Sequence, residues 1–473
     1  VARLYQAVTF VVGIGLTVLA GVPTDLVPAS FPLWLPIGGA VLVVGVLVFL
    51  VGLPTGNPSF HRRSAFRYLV VWPALTWVGF EFLRMLSQLG HIWGWLSTSQ
   101  WEYLPFLQLA ALGGPWLVSL GIVAANYALA LGLIALLSRR DRALAWRPAV
   151  FSLAVVALLL AAAYAWGSLR SRPQVGMVRV AALQPGRELG DDPTYVLDWA
   201  NRDWEKLSRD IIPGDMAVRT RQAAALGARL VVWPEATIWL DPLDPQNDPY
   251  TREELAALAA ETGTYIVVPY YILTPEGQLS WFLGFAPNQR NETLIVTPDG
   301  QFLGPYAKNH PIPFIGEVSS TAGKYPVQSL PFGRVATMLG YDTAFTDTAR
   351  RLTQGGAQLI TLSTHDWNAM SGTYGVHTRL RAVENGVAIV KCDWEVGSLI
   401  TDPWGRVLAQ AAMDRQEEKI VIADVPLLPS GGTLYTAVGD VLGWIGLGSL
   451  VLLVLTRVLP RRLLQARRGP PAN

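Results

Sequence analysis

Long apolar runs separated by short polar loops fill the first third of the chain. Residues 4–22, 32–53, 66–89, 116–137 and 148–168 each hold about 19 or more mostly apolar positions, and a sixth run covers 440–458. That length matches a hydrocarbon core of ~30 Å at a rise of ~1.5 Å per residue. The pattern predicts a multi-span α-helical membrane bundle: about five helices within residues 1–169, one more at 439–459, and a basic tail at 460–473. The first run is followed by further spans and lacks a small-residue cleavage site, so it reads as a span rather than a leader. The six spans are a minimum.

Between 170 and 438 the period changes. "VRVAALQP" (178–185), "ARLVVWPEA" (228–236), "TYIVVPYYIL" (264–273), "VATMLGY" (335–341), "AQLITLST" (357–364), "GVAIVKCDW" (386–394) and "GSLITDPWGRVLA" (397–409) read as strand-forming runs, and "ETLIVTPDGQFLG" (292–304) as one with a hairpin turn at Asp299-Gly300. "YTREELAALAAET" (250–262) reads as a helix, with Thr251 and Glu254 in capping-box spacing. Strands alternating with helices predict one layered α/β domain.

Composition supports the division. Hydrophobic residues make up 51% of the chain and charged ones 15%, with a mean hydropathy of +0.32; soluble domains carry about 25% charged residues. Basic residues cluster between the second and third runs (His61, Arg62, Arg63, Arg67), between the fourth and fifth (Arg139, Arg140, Arg142, Arg147) and after the last (Arg457, Arg461, Arg462, Arg467, Arg468), while 23–31 and 90–115 hold neither Lys nor Arg. By the positive-inside rule both termini are cytoplasmic and 170–438 lies outside. The net charge of +2 is near balance and no basic stripe interleaved with aromatics appears, so no nucleic-acid partner is expected. The single Cys392 precludes an internal disulfide, the five histidines form no metal-ligand pair, and neither a metal nor a cofactor is expected.

Two positions carry candidate chemistry. Glu235 ends an apolar strand in "VVWPEATIW", where burial suits a carboxylate to general-base work. Lys308 in "YAKNHPIPFIGE" sits before two prolines that stiffen the backbone, placed to hold an oxyanion or to pair with a glutamate.

Trp-Pro-Glu after a strand, then Tyr-x-Lys with Pro-Phe and Gly-Glu some 75 residues on, then a strand ending in Tyr-Asp, resembles the motif order of the carbon–nitrogen hydrolase (nitrilase) superfamily. "WVGFEFLR" (77–84), "QLAALGGPWLVSLGIVAANYALA" (108–130), "STHDW" (363–367), "LRAVENG" (380–386) and "TLYTAVGD" (433–440) extend the resemblance to its membrane branch, the apolipoprotein N-acyltransferases. The resemblance implies a nitrilase-like four-layer αββα sandwich on a helical bundle in a bacterial inner membrane, the domain on the extracytoplasmic side. It implies a phospholipid acyl donor, the N-terminal amine of a diacylglyceryl-cysteine lipoprotein as acceptor, and a Glu–Lys–Cys triad. By position Glu235 is the base and Lys308 the oxyanion partner. Glu317 is the second glutamate, one residue late because of Ile315, and Tyr341 and Asp342 follow the nucleophile.

The nucleophile's own position holds Gly340. Other departures are "KCDWEVGS" (391–398), where an arginine and an Asn-Thr-Gly run are expected, and His365 in place of asparagine. Three alternatives follow: a binding pseudoenzyme that holds lipid, lipoprotein or a protein partner; a displaced nucleophile, with Cys392 ahead of Ser363 and Thr343; or direct transfer with no covalent intermediate. A membrane-anchored amidase is a further reading. The aromatic loop "YYILTPEGQLSWFLGF" (270–285) is expected to face entering lipid through Tyr271, Leu273, Trp281, Phe282 and Phe285.

Overall fold

The computed structural model describes residues 70–86, 95–137, 142–186, 216–238, 241–244, 249–273, 289–312, 317–366, 368–413 and 415–458. The expected spans at 4–22 and 32–53, and the aromatic loop from 274 onward, lie outside these residues. The chain divides into two compact units, Val1–Arg84 with Ser119–Ala161 and Leu442–Asn473, and Met85–Val118 with Ala162–Val441.

Among the described residues four long helices carry the apolar sequence: α1 (Trp72–Met85), α2 (Ala110–Leu137), α3 (Arg142–Leu169) and, near the C-terminus, a helix over Val441–Val458. Two stretches, Ala110–Leu133 and Ala149–Leu169, are long and apolar enough to cross a membrane. Leu129, Leu133, Leu136, Leu158 and Leu159 are each more than half exposed, as side chains facing lipid would be. Within the first unit, α1 meets the C-terminal helix through small residues. A Cβ on Gly79 would lie 2.1 Å from the Gly446 carbonyl oxygen, so only glycine permits this approach. Thr76 and Ser449 hydroxyls meet at 3.3 Å beside it.

The second unit is built from two sheets. In chain order its elements are β1 (Gly176–Gln184), α4 (Ala217–Ala225), β2 (Leu230–Val232), α5 (Pro249–Thr262), β3 (Tyr265–Leu273), β4 (Gln289–Val296), β5 (Phe302–Ala307), β6 (Glu317–Val318), β7 (Val327–Leu330), β8 (Gly333–Leu339), α6 (Asp347–Gln354), β9 (Leu359–Ser363), α7 (Asn368–Asn385), β10 (Ala388–Cys392), β11 (Leu399–Thr401), β12 (Val407–Gln410), β13 (Lys419–Leu427) and α8 (Leu434–Val438), which leads into α9, the helix over Val441–Val458. One sheet runs β13-β1-β2-β3-β4-β5, with β6 paired to β4, and the other runs β12-β11-β10-β9-β8-β7. The helix expected over 250–262 begins one residue early, at Pro249, so Thr251 lies inside the first turn rather than capping it. Proline suits that place because a first-turn N–H has no helical partner.

Alternation along each strand sorts side chains into layers. In β1, Val180 and Ala182 face the opposite sheet with Val232, Val335, Val390 and Val421. Their neighbours Ala181 and Leu183 face Leu255 and Leu258 of α5. On the far side, Ala336, Met338, Ile360 and Leu362 pack with Leu352 and Ala382 of α6 and α7. The result is the expected αββα sandwich. Each buried aliphatic side chain contributes about 1.5–3 kcal/mol, so three such clusters hold the strand ends where the polar residues emerge.

The stretch 433–440 closes the unit. Asp440 accepts hydrogen bonds from Trp116 Nε1 (2.7 Å), the Tyr435 hydroxyl (2.7 Å) and the Thr346 hydroxyl (3.0 Å). Gly114, at φ +68°, lies against the Tyr435 ring, 2.4 Å from where its Cβ would be.

Candidate active site

Strand β2 ends at Val232, and the chain then turns outward through Trp233 and Pro234. The Trp233 amide donates to the Val267 carbonyl at 3.1 Å, which keeps this exit in register with β3. Glu235 follows, fixed by its own backbone: its amide donates to the Thr364 carbonyl (3.3 Å), and its carbonyl accepts from Trp394 Nε1 (2.6 Å). Lys308 follows β5 and is anchored by its amide to the Asn291 carbonyl at 2.9 Å.

These anchors bring three charged side chains together. Lys308 Nζ donates to Glu235 Oε1 and Glu317 Oε1, both at 3.0 Å. All three side chains are buried. Burial pushes the Lys308 ammonium down, but the two carboxylates outweigh it and hold the group above the ordinary lysine value. Asn291 Nδ2 donates to Glu235 Oε1 (2.5 Å) and Glu317 Oε1 (2.8 Å), the Tyr271 hydroxyl donates to Glu317 Oε1 (3.1 Å), and the Ile312 amide to Glu317 Oε2 (2.7 Å). One oxygen of Glu235 is thus held inside the cluster. The other, Oε2, accepts from the His365 amide at 3.0 Å and is turned toward the end of β8.

Gly340 stands at that end. It opens a one-turn 3₁₀ helix, Gly340–Ala344, so the strand expected over 335–341 ends at Leu339; the α-helix proper, α6, starts at Asp347. Its φ is +27°, and a Cβ on it would lie 2.5 Å from Glu235 Oε2. The space a nucleophile's side chain would enter is therefore occupied by the carboxylate itself.

The remaining expected residues divide. Tyr341 is buried, with its ring edge-on to Phe345 at 5.2 Å; burial, opposed by Lys308, pushes its phenol up to about 12. Asp342 belongs to a separate set of contacts. Its carboxylate accepts from the Tyr306 hydroxyl (2.5 Å), the His310 amide (2.8 Å) and the Leu339 amide (3.3 Å), tying the corner to the segment that carries Lys308. Burial raises it above the usual carboxylate range, against His310 and the Tyr306 hydrogen bond.

Cys392 is not a displaced nucleophile. It sits in the core between the sheets, its thiol donates to the Leu183 carbonyl at 3.2 Å, and burial pushes it well above the ordinary thiol value. β10 does share a sheet with β8, but its Cys392 side chain projects into the inter-sheet layer. The Ser363 hydroxyl is likewise turned inward, donating to the Trp233 carbonyl at 2.7 Å. Thr343 is fully buried. Tyr271, expected at a lipid-facing loop, instead places its hydroxyl on Glu317.

Behind Glu235 lies a second buried lysine. Lys391 Nζ bridges Asp366 and Asp393 at 2.8 Å each. Asp393 Oδ2 also accepts from the Thr364 hydroxyl (2.5 Å) and the Asp366 amide (3.3 Å), bracketing the His365 amide that reaches Glu235. Burial raises Asp366 well above the usual range, with Lys391 opposing and Asp393 reinforcing; burial also acts upward on Asp393, but Lys391 reverses it and holds the group low.

Sequence reasoning missed Asn291, the His365 amide and the Trp394 indole. Asn291 precedes "ETLIV" on the strand face that carries Ile295, and a polar residue on a face that runs into the core is the weak signal that marks it.

A family model described as carbon-nitrogen hydrolase matches residues 179–429, and one described as the apolipoprotein N-acyltransferase N-terminal domain matches 4–128. An apolipoprotein N-acyltransferase of Geobacter metallireducens is 26% identical over 436 residues, covering 85% of this chain and 78% of that protein. One of Chlorobaculum tepidum is 25% identical over 469 residues, covering 89% and 84%. An amidase from Nesterenkonia sp. superposes with a TM-score of 0.41 and 19% identity, covering 54% of this chain and 93% of the amidase.

Proposed function

The chain belongs to the carbon-nitrogen hydrolase family, in its apolipoprotein N-acyltransferase branch, and from that premise we propose that it transfers an acyl chain from a phospholipid to the N-terminal amine of a diacylglyceryl-cysteine lipoprotein. The observation that carries this reading is the buried Glu235–Lys308–Glu317 cluster opening on Gly340.

With glycine at 340 the transfer is direct. The neutral acceptor amine attacks the donor's ester carbonyl while Glu235 Oε2 takes its proton, and Lys308 steadies the negative charge that develops on the carbonyl oxygen. Collapse breaks the ester C–O bond, and the proton on Glu235 passes to the leaving lysophospholipid oxygen. An amide and a lysophospholipid result. The route forgoes the divided barrier of covalent catalysis and relies on positioning.

The family match at 4–128 and the two apolar helices support a multi-pass membrane protein. The proposed layout is a bundle over 1–169, the sandwich over 170–438 on the extracytoplasmic side, a last span at 439–459 and a cytoplasmic tail. A second reading is favoured by one observation, the Glu235 carboxylate filling the place of a side chain at 340: the domain then binds lipid and lipoprotein, or a protein partner, without turnover. Incubating the detergent-purified full chain with phospholipid and a diacylated lipopeptide separates the two. Triacylated product supports transfer; absence of product, where Gly340→Cys forms it, assigns the binding role.

A further inference from the structure

Helix α3 ends at Leu169, and the next few residues include two arginines with no acidic partner among the described residues. Arg170 Nη1 donates to Gln108 Oε1 at 2.6 Å. Arg172 donates to the Gly432 carbonyl at 2.7 Å and the Pro429 carbonyl at 3.5 Å. Every acceptor these guanidiniums have among the described residues is therefore neutral. Both converge on Gly386, at the end of α7: a Cβ there would lie 3.0 Å from Arg172 Nη1 and 3.6 Å from Arg170 Nη2. Burial, then the like charge of Arg172, pushes Arg170 down to about 10. Two cations held this close over a residue without a side chain repel each other, and a bound anion would relieve that.

The surroundings say which anion. The pair immediately follows the apolar stretch Ala149–Leu169. Leu169 is 81% exposed, and Trp166 lies under Arg170 at 5.8 Å from its ring centroid. The 3₁₀ turn Leu96–Gln100 and the residues after it run beside this helix end, where a Cβ on Gly167 would meet the Pro105 carbonyl. That segment exposes Trp101 and Tyr103. Aromatic rings and arginines at the end of an apolar helix mark the headgroup level of a bilayer.

We propose that Arg170 and Arg172 form a phosphate site that holds the headgroup phosphodiester of an anionic phospholipid at the membrane surface. The site is independent of acyl transfer, and its test does not use activity. Thermal unfolding and native mass spectrometry of the full chain in detergent are followed as phosphatidylglycerol, phosphatidylcholine or inorganic phosphate is added. Phosphatidylglycerol is expected to raise the unfolding temperature and to remain bound, with the neutral lipid and free phosphate much weaker. Arg170→Gln with Arg172→Gln weakens phosphatidylglycerol about 30-fold, while the paired lysine variants retain most of the affinity. If the double variant does not fold, Arg172→Gln alone is expected to lose about fivefold. Equal binding by wild type and variant, equal effects of the two lipids, or stabilisation by inorganic phosphate matching that by phosphatidylglycerol would each overturn the proposal.

Discussion

Oε2 of Glu235 lies 2.5 Å from the point a Cβ on Gly340 would occupy. No real Cβ tolerates that contact, so the carboxylate and a side chain at 340 compete for one position. Gly340→Ala should destabilise the protein by about 1–3 kcal/mol, from the clash and the positive φ together. In a Glu235→Ala background the clash is gone and only the backbone cost remains. Denaturant unfolding of the two single variants and the double variant gives the coupling; additive effects would show that the two residues do not meet.

Lys308 sits between two buried carboxylates. Its folded pKa is raised, so its contribution to stability is complete below the unfolded value near 10.5 and is lost as pH climbs through the raised value. Lys308→Met leaves Glu235 and Glu317 facing each other without a cation and should cost about 3–5 kcal/mol near neutral pH. The loss should hold steady from about pH 7 to 9 and shrink above 10.5, where the folded lysine begins to lose its extra stabilisation. Denaturant unfolding from neutral to strongly alkaline pH measures this, and a loss that stays constant above 10.5 would contradict it.

His310 and Asp347 form a partly buried pair at 2.7 Å, with the imidazole stacked on Phe345 at 3.6 Å. Burial lowers the imidazole, but Asp347 more than compensates and raises it; Asp347 is lowered by His310 despite its own burial. The histidine's contribution is present below its unfolded pKa of about 6.5 and lost as pH rises through the raised value. The aspartate's is present above its unfolded pKa near 3.8 and lost as pH falls through the lowered one. Asp347→Asn should therefore cost about 1 kcal/mol at pH 6 and little at pH 9. Unfolding at the two pH values distinguishes this from a loss that does not change.

Asp393 brackets the His365 amide through Thr364 and Asp366. Asp393→Ala strands Lys391 beside the single carboxylate of Asp366 and frees the loop; it should cost about 3–5 kcal/mol. Replacing both ions, as Lys391→Met with Asp393→Leu, should recover part of that loss, because two desolvated charges leave together. A double variant no more stable than Asp393→Ala would contradict the pairing.

The layers were legible because apolar alternation is encoded residue by residue. Val180 and Ala181 face opposite cores as a two-residue period requires. Glu235 and Lys308 were legible for a related reason, since each follows shortly after an apolar strand, at the point where the chain leaves the sheet. Their partners were less so. The His365 contact is made by a backbone amide, which side-chain identity does not specify, and Asn291 is one polar residue among several. Asp342 follows the corner in sequence, but a 3₁₀ turn directs it to Tyr306 and His310 rather than to Lys308. Cys392 shows the same limit: its strand is correct, and only the face of the sheet decides that its thiol is inert.

Direct transfer and covalent transfer differ in kinetic order. A cysteine route releases the lysophospholipid before the acceptor binds and gives parallel double-reciprocal lines; direct attack needs both substrates together and gives intersecting ones. The most direct measurement is initial-rate kinetics of the detergent-purified full chain with phospholipid and diacylated lipopeptide varied together, followed by mass spectrometry of peptide and protein. The account predicts triacylated peptide, intersecting lines, no acyl group retained on the protein, and loss of product in Glu235→Gln. Parallel lines with an acylated protein, or no product from the wild-type chain while Gly340→Cys makes it, would contradict direct transfer.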